Sequence, residues 1–134
     1  MNVVASAPEQ ASILLVDDDH GVRASMRRTL AQDGHNVVEA ESGDAAAALI
    51  EDAVPFDMLI TDVRMPGSRD GVALASCWDE KAPGRPVLFV SGDTDNQLDL
   101  CALGPHQAML HKPFERASLR SAVQHLLSKM RRRT

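Results

Sequence analysis

ILLVDDDHG, residues 13–21, sets four apolar side chains directly against three consecutive carboxylates. An Ile/Leu/Val run bounded by turn-forming residues has the pattern of a strand buried on both faces, as in the middle of a parallel sheet. Such a strand has a fixed, rigid end. Two carboxylates about 4 Å apart repel by roughly 4 kcal/mol at an effective dielectric of about 20, so Asp17, Asp18 and Asp19 at that end invite a cation. Each Asp taken alone also suits a simpler task, capping a helix that starts near Gly21. The choice depends on what else converges on the same edge.

Outward from this stretch, short apolar runs alternate with helical patterns five times, the signature of βα units around a parallel sheet. Strands are expected at 12–16, 36–39, 57–61, 87–90 and 107–110, and helices at about 21–32, 43–53, 72–80 and 97–103, with a final helix after Pro113. Val22, Met26 and Leu30 share one face of the first helix, which Asp33-Gly34 ends. Ser42 is the expected cap of the second helix. Leu119, Val123, Leu126 and Met130 form one stripe on the last. The fold class is α/β: a doubly wound parallel sheet with helices on both faces.

The 134 residues suffice for one core and fall short of two ordinary domains. A hydrophobic fraction of 44% with only 3% aromatic residues predicts an aliphatic core rather than disorder. The net charge of −5 disfavours binding to a phosphate backbone, so no nucleic-acid partner is expected. The basic run Arg131, Arg132, Arg133 is read as a complement to a helix dipole. No signal-peptide pattern and no bilayer-length apolar run occurs in the sequence, so a cytoplasmic location without membrane contact is expected. Cys77 and Cys101 are expected as reduced thiols, and the five His residues show no zinc-ligand spacing.

In an open parallel sheet, ligands bind beyond the carboxyl ends of the strands. Those ends carry Asp17, Asp18 and Asp19 after the first strand, Asp62 after the third, Ser91 after the fourth and Lys112 after the fifth. Clustered carboxylates suit Mg²⁺, a hard cation that prefers oxygen ligands. A carboxylate can also attack phosphorus to give an aspartyl phosphate. Ser91 would then donate a hydrogen bond to the phosphoryl group and Lys112 would form an ion pair with it.

LLVDDD, DMLITDVRMPG, VLFVSGD and HKPF, in that order and spacing, resemble the receiver domain of bacterial two-component response regulators. The resemblance implies a five-stranded sheet of order 2-1-3-4-5 over residues 12–130, with a flexible extension at 1–11 and a basic tail at 131–134. It implies that Asp62 accepts a phosphoryl group from a sensor histidine kinase or phosphotransfer protein. It also implies that Asp17, Asp18, Asp62 and the backbone carbonyl of Arg64 hold Mg²⁺. Asp19 would be structural, the Lys112-Pro113 bond cis, and Arg64 and Asp93 the residues that tune phosphoryl lifetime. Two departures stand out. Met109 replaces the Tyr or Phe that accompanies Ser91 in the family's switch, and a flexible thioether cannot reproduce a rigid aromatic flip. The MPGSRDG loop is one residue longer than the common form, with Ser68 and Arg69 where an apolar residue often sits.

The expected function is a stand-alone receiver, not an enzyme, that relays phosphate or switches protein contacts around residues 97–103 and the fifth strand. A receiver fragment of a hybrid kinase or DNA-binding regulator, and an unphosphorylated binding module, are the alternatives. An Mg²⁺-dependent phosphatase fits less well, since Arg64 stands where a second acid would protonate the leaving group and no insertion could form a cap. A dinucleotide site is disfavoured by three Asp residues in place of GxGxxG.

Overall fold

The computed structural model describes residues 10–52, 55–65, 67, 69–92 and 103–132. Five strands, β1 (Ser12–Val16), β2 (Asn36–Ala40), β3 (Met58–Asp62), β4 (Val87–Ser91) and β5 (Gln107–His111), form one parallel sheet of order β2-β1-β3-β4-β5. Among the described residues four helices, α1 (His20–Gln32), α2 (Gly43–Glu51), α3 (Gly71–Lys81) and α4 (Arg116–Arg132), cover it. The expected order and strand positions hold, with ends shifted by one residue so that Asp62 and Ser91 are the last residues of their strands. The expected helix at 97–103 lies almost wholly outside the described residues, and Leu103 is not helical. Cys101, Asp93, Ser68 and the side chains of the basic tail also lie outside them, whereas Cys77 is a free, half-buried thiol in α3.

Alternation along the central strands divides the core in two. Ile13 and Leu15 of β1, with Met58, Ile60, Leu88 and Val90, face Met26 and Leu30 of α1 and Leu119, Val123 and Leu126 of α4. Leu14 and Val16, with Leu59 and Phe89, face Ala46, Ala47 and Ile50 of α2 and Leu74 and Trp78 of α3. Each fully buried Leu or Ile is worth about 1.5–3 kcal/mol over its exposed state. A strand buried on both faces, such as β1, therefore cannot shift without exposing residues of both layers.

Local chemistry sets where the helices begin and end. Asp19 caps α1 by accepting a bond from the Val22 amide at 3.1 Å, and Ser42 and Asp70 do the same for α2 and α3 at 3.1 and 2.9 Å. At the far end of α1 the Gly34 amide donates to the carbonyl of Ala31 and the His35 amide to that of Leu30, a Schellman closure that requires the φ of +89° at Gly34. Gly71 opens α3 against the backbone of β3. A Cβ there would overlap the Asp62 carbonyl, so the absence of a side chain lets the helix start directly behind the strand end.

His35, buried beside β2, accepts the Ala11 amide on Nδ1 at 3.0 Å and is therefore neutral there. Burial holds its pKa below 6.5, with the Asp33 charge pulling weakly the other way. Only the unfolded chain takes up this proton near pH 6.5, so the contribution of His35 to stability is complete above that pH and fades as pH falls below it. Denaturation between pH 7 and 5 is expected to show a steeper loss of stability in wild type than in His35→Gln; equal slopes would refute the assignment. Gly71→Ala is expected to destabilise by about 2 kcal/mol through overpacking against backbone, read from the denaturant midpoint.

Candidate functional site

The carboxyl ends of β1 and β3 are adjacent in the sheet; β3 ends in Asp62 and β1 is followed directly by Asp17. Asp17, fully buried, and Asp62, 7% exposed, lie with the exposed Asp18 so that one carboxylate oxygen from each falls within 4.8 Å of the others. Lys112, directly after β5, brings its Nζ to 3.1 Å from Asp62 Oδ2 and 3.2 Å from Asp17 Oδ2. The contact to Asp62 is a hydrogen bond, whereas Asp17 Oδ2 meets Lys112 as a buried ion pair and, among the described residues, has no further partner. The other Asp62 oxygen accepts the Arg64 amide at 3.3 Å, and Asp17 Oδ1 accepts the Asp19 amide at 2.8 Å.

The electrostatics follow from burial. Desolvation raises the Asp62 pKa, the Lys112 hydrogen bond opposes it and the neighbouring Asp17 charge adds to it. Desolvation pulls Lys112 down, but its hydrogen bond to Asp62 and the charges of Asp17 and Asp62 outweigh that and leave its pKa raised. With all groups ionised, three carboxylates and one ammonium leave a formal charge of −2 in a partly buried site. A divalent ion with oxygen ligands matches that charge, and the three carboxylate oxygens gathered within 4.8 Å of one another, that of Asp17 fully buried, are of the type it takes.

Of the residues expected at the site, Asp17, Asp18, Asp62 and Lys112 are brought into one cluster. Ser91 is buried at the end of β4, one residue past the Val90 partner of Asp62, with its hydroxyl donating to the Gly92 carbonyl at 3.2 Å. Arg64 sits at the rim through its backbone. Met109 lies in β5 opposite Phe89 and packs half-buried against the α2/α3 layer, away from the carboxylates. Asp19 is a cap, and the Lys112-Pro113 bond is cis.

Sequence reading overlooked Arg23. Its guanidinium donates to the Asp17 carbonyl at 2.7 Å and is held by Glu39 of β2 at 3.0 Å. The available signal was a basic residue one turn into the helix that follows the acid cluster.

The family model for the response regulator receiver domain matches residues 13–124. FleR, a response regulator protein of Pseudomonas aeruginosa, is 33% identical over 123 residues, covering 90% of this chain and 25% of FleR. FixJ, a transcriptional regulatory protein of Azorhizobium caulinodans, is 34% identical over 119 residues, covering 87% of this chain and 54% of FixJ. The chain thus spans about a quarter to a half of these relatives. Among solved structures, a response regulator receiver protein from Sinorhizobium medicae superposes with a TM-score of 0.82 at 31% identity, covering 91% of this chain and 98% of that one. The receiver domain of the hybrid histidine kinase CckA gives 0.73 at 30%, covering 87% and 98%. Among the described residues no helix is long and apolar enough to cross a membrane. With sheet order, acid cluster, lysine and family match in agreement, the chain belongs to the receiver domain family of two-component response regulators, in which aspartyl phosphorylation and Mg²⁺ binding are typical.

Proposed function

We propose that this receiver accepts a phosphoryl group on Asp62 from a phosphohistidine of a sensor kinase or phosphotransfer protein, and that the modified domain alters its contacts with a downstream protein. The observation that carries the reading is the convergence of Asp17, Asp18 and Asp62 on one point with Lys112 bridging two of them. Asp17, Asp18, Asp62 and the Arg64 carbonyl would hold Mg²⁺. When bound, the ion supplies positive charge to the equatorial oxygens of the transferring group.

The chain's own residues supply the rest. An oxygen of the Asp62 carboxylate attacks phosphorus, the P–N bond to the donor imidazole breaks, and the electron pair returns to the ring nitrogen. Lys112 is already at hydrogen-bond distance from Asp62 and would keep its charge beside the new phosphoryl oxygens. The carboxylates of Asp62 and Asp17 beside it favour its charged form before transfer. Ser91 would rotate its hydroxyl from the Gly92 carbonyl to a phosphoryl oxygen, a change at the end of β4 that coincides with phosphorylation. Met109, across from Phe89 on the neighbouring strand, would repack by bending its flexible side chain rather than by swinging a ring.

Intact-mass spectrometry after incubation with acetyl phosphate tests the acceptor. One Mg²⁺-dependent phosphoryl increment is expected in wild type and none in Asp62→Asn; an increment that persists in the variant would overturn the assignment. The metal is tested separately by thermal melting. Mg²⁺ at ten times its dissociation constant should stabilise the fold by about 1.4 kcal/mol, a rise in Tm of roughly 5 °C for a domain of this size. A Tm indifferent to both Mg²⁺ and EDTA would refute the metal site.

A further inference from the structure

Asp18 is the exposed member of the acidic triad, and among the described residues its side chain has no hydrogen bond or ion pair. Its carboxylate is therefore aimed by its backbone alone. That backbone is set by Asp17, whose two flanking peptides are both held, the preceding one through its N–H and the Asp17–Asp18 peptide through its carbonyl. The Asp17 amide donates to the Ala40 carbonyl at 3.3 Å, and the Asp17 carbonyl accepts Arg23 Nη1 at 2.7 Å.

Arg23 is itself held. Its Nε pairs with Glu39 Oε1 at 3.0 Å, its Nη2 meets His20 Nδ1 at 3.2 Å, and its side chain is only 11% exposed. The second Glu39 oxygen is occupied by Arg27 at 3.1 Å. Glu39 directly precedes Ala40, so consecutive residues of β2 fix the two sides of Asp17, one through its own carbonyl and one through the guanidinium. The Arg fork suits this because its donors diverge in one rigid plane, which a lysine cannot reproduce.

We propose that Arg23 is a positioning residue of the metal site, holding the Asp17–Asp18 peptide so that the Asp18 carboxylate meets those of Asp17 and Asp62. The inference rests on the metal-site reading given under Proposed function. Groups of this kind, one bond removed from the ligands, typically change metal affinity 10–100-fold when lost.

Electrostatics and positioning give opposite signs here. Arg23 is a cation beside an acidic cluster, so on charge alone its removal would tighten binding of another cation. If it orients a ligand, removal weakens binding. Mn²⁺, which shares the preference of Mg²⁺ for carboxylate, carbonyl and water, serves as the probe, with free Mn²⁺ measured by its electron paramagnetic resonance signal. Melting in EDTA shows whether each variant is folded. About tenfold weaker binding is expected for Arg23→Gln, and clearly weakened binding for Arg23→Lys, in which the charge is kept and the fork lost. Arg27→Gln, whose side chain among the described residues pairs with the outer oxygen of Glu39 alone, should stay within about twofold of wild type.

Unchanged or tighter binding by folded Arg23→Gln would overturn the inference. Should that variant not fold, Arg23→Lys decides, since charge alone predicts no change there and positioning predicts a loss. Asp18→Asn separates the two levels. If wild type binds Mn²⁺ and Asp18→Asn does not, the metal site stands and the Arg23 result judges this inference alone; if wild type holds no Mn²⁺, the metal-site reading fails and takes the inference with it.

Discussion

One ammonium between two buried carboxylates holds the business edge of this domain together. Lys112 leaves the chain after β5, at the margin of the sheet, yet its Nζ meets Asp62 of β3 and Asp17 of β1. With strands about 4.8 Å apart, its side chain passes over the end of β4 to reach them. Its own amide is meanwhile bonded to the Ser91 carbonyl of β4 at 2.7 Å. Without that cation, Asp17 and Asp62 would face each other nearly free of water, an arrangement that drives one of them to take a proton. The lysine thus permits two acids to end neighbouring central strands.

What lies around this contact serves to make it rigid. Both faces of β1 and β3 are packed, by α1 and α4 on one side and α2 and α3 on the other. Asp19 ties the acidic turn to α1 as its cap while its amide binds Asp17, so one short segment both begins a helix and aims a carboxylate. Gly71 brings α3 hard against the Asp62 backbone from behind. Rigid secondary structure accordingly carries Asp62 on β3 and Arg23 on α1, while Asp17, Asp18 and Lys112 sit at the first or second residue beyond a strand.

Much of this was legible in the sequence, for identifiable reasons. Buried parallel strands write themselves as unbroken apolar runs, so Ile13 to Val16 and Val87 to Val90 disclosed the centre of the sheet, and whatever polar residue followed each run had to lie on one edge. That logic located Asp17, Asp62, Ser91 and Lys112 without any knowledge of distances. The cap Ser42 was legible because capping is local, and for α1 the same reasoning narrowed the cap to the three Asp residues, of which the structure selects Asp19. The grip of Arg23 and Glu39 on the Asp17 carbonyl was not, because it joins residues 16 apart through a backbone group, and any polar side chain can bond a carbonyl. The role of Gly71 was hidden for a related reason: its requirement is tertiary, a close approach to Asp62, and its own φ is ordinary. Strand ends moved by single residues, because hydrogen bonding continues past the last apolar side chain to include Asp62 and Ser91.

The bridge made by Lys112 also acts as a test of assembly. Side chains alternate across a sheet, so sliding β5 by one residue against β4 would swing the lysine to the opposite face and strand both acids without a counter-charge. The same holds for β1 against β3, where a slip would separate Asp17 from Asp62. The cluster of Asp17, Asp62 and Lys112 therefore exists in one alignment of the strands, and a chain that has collapsed with its hydrophobic layers roughly in place but its strands misaligned would be compact and lack it. The site proofreads the topology that builds it.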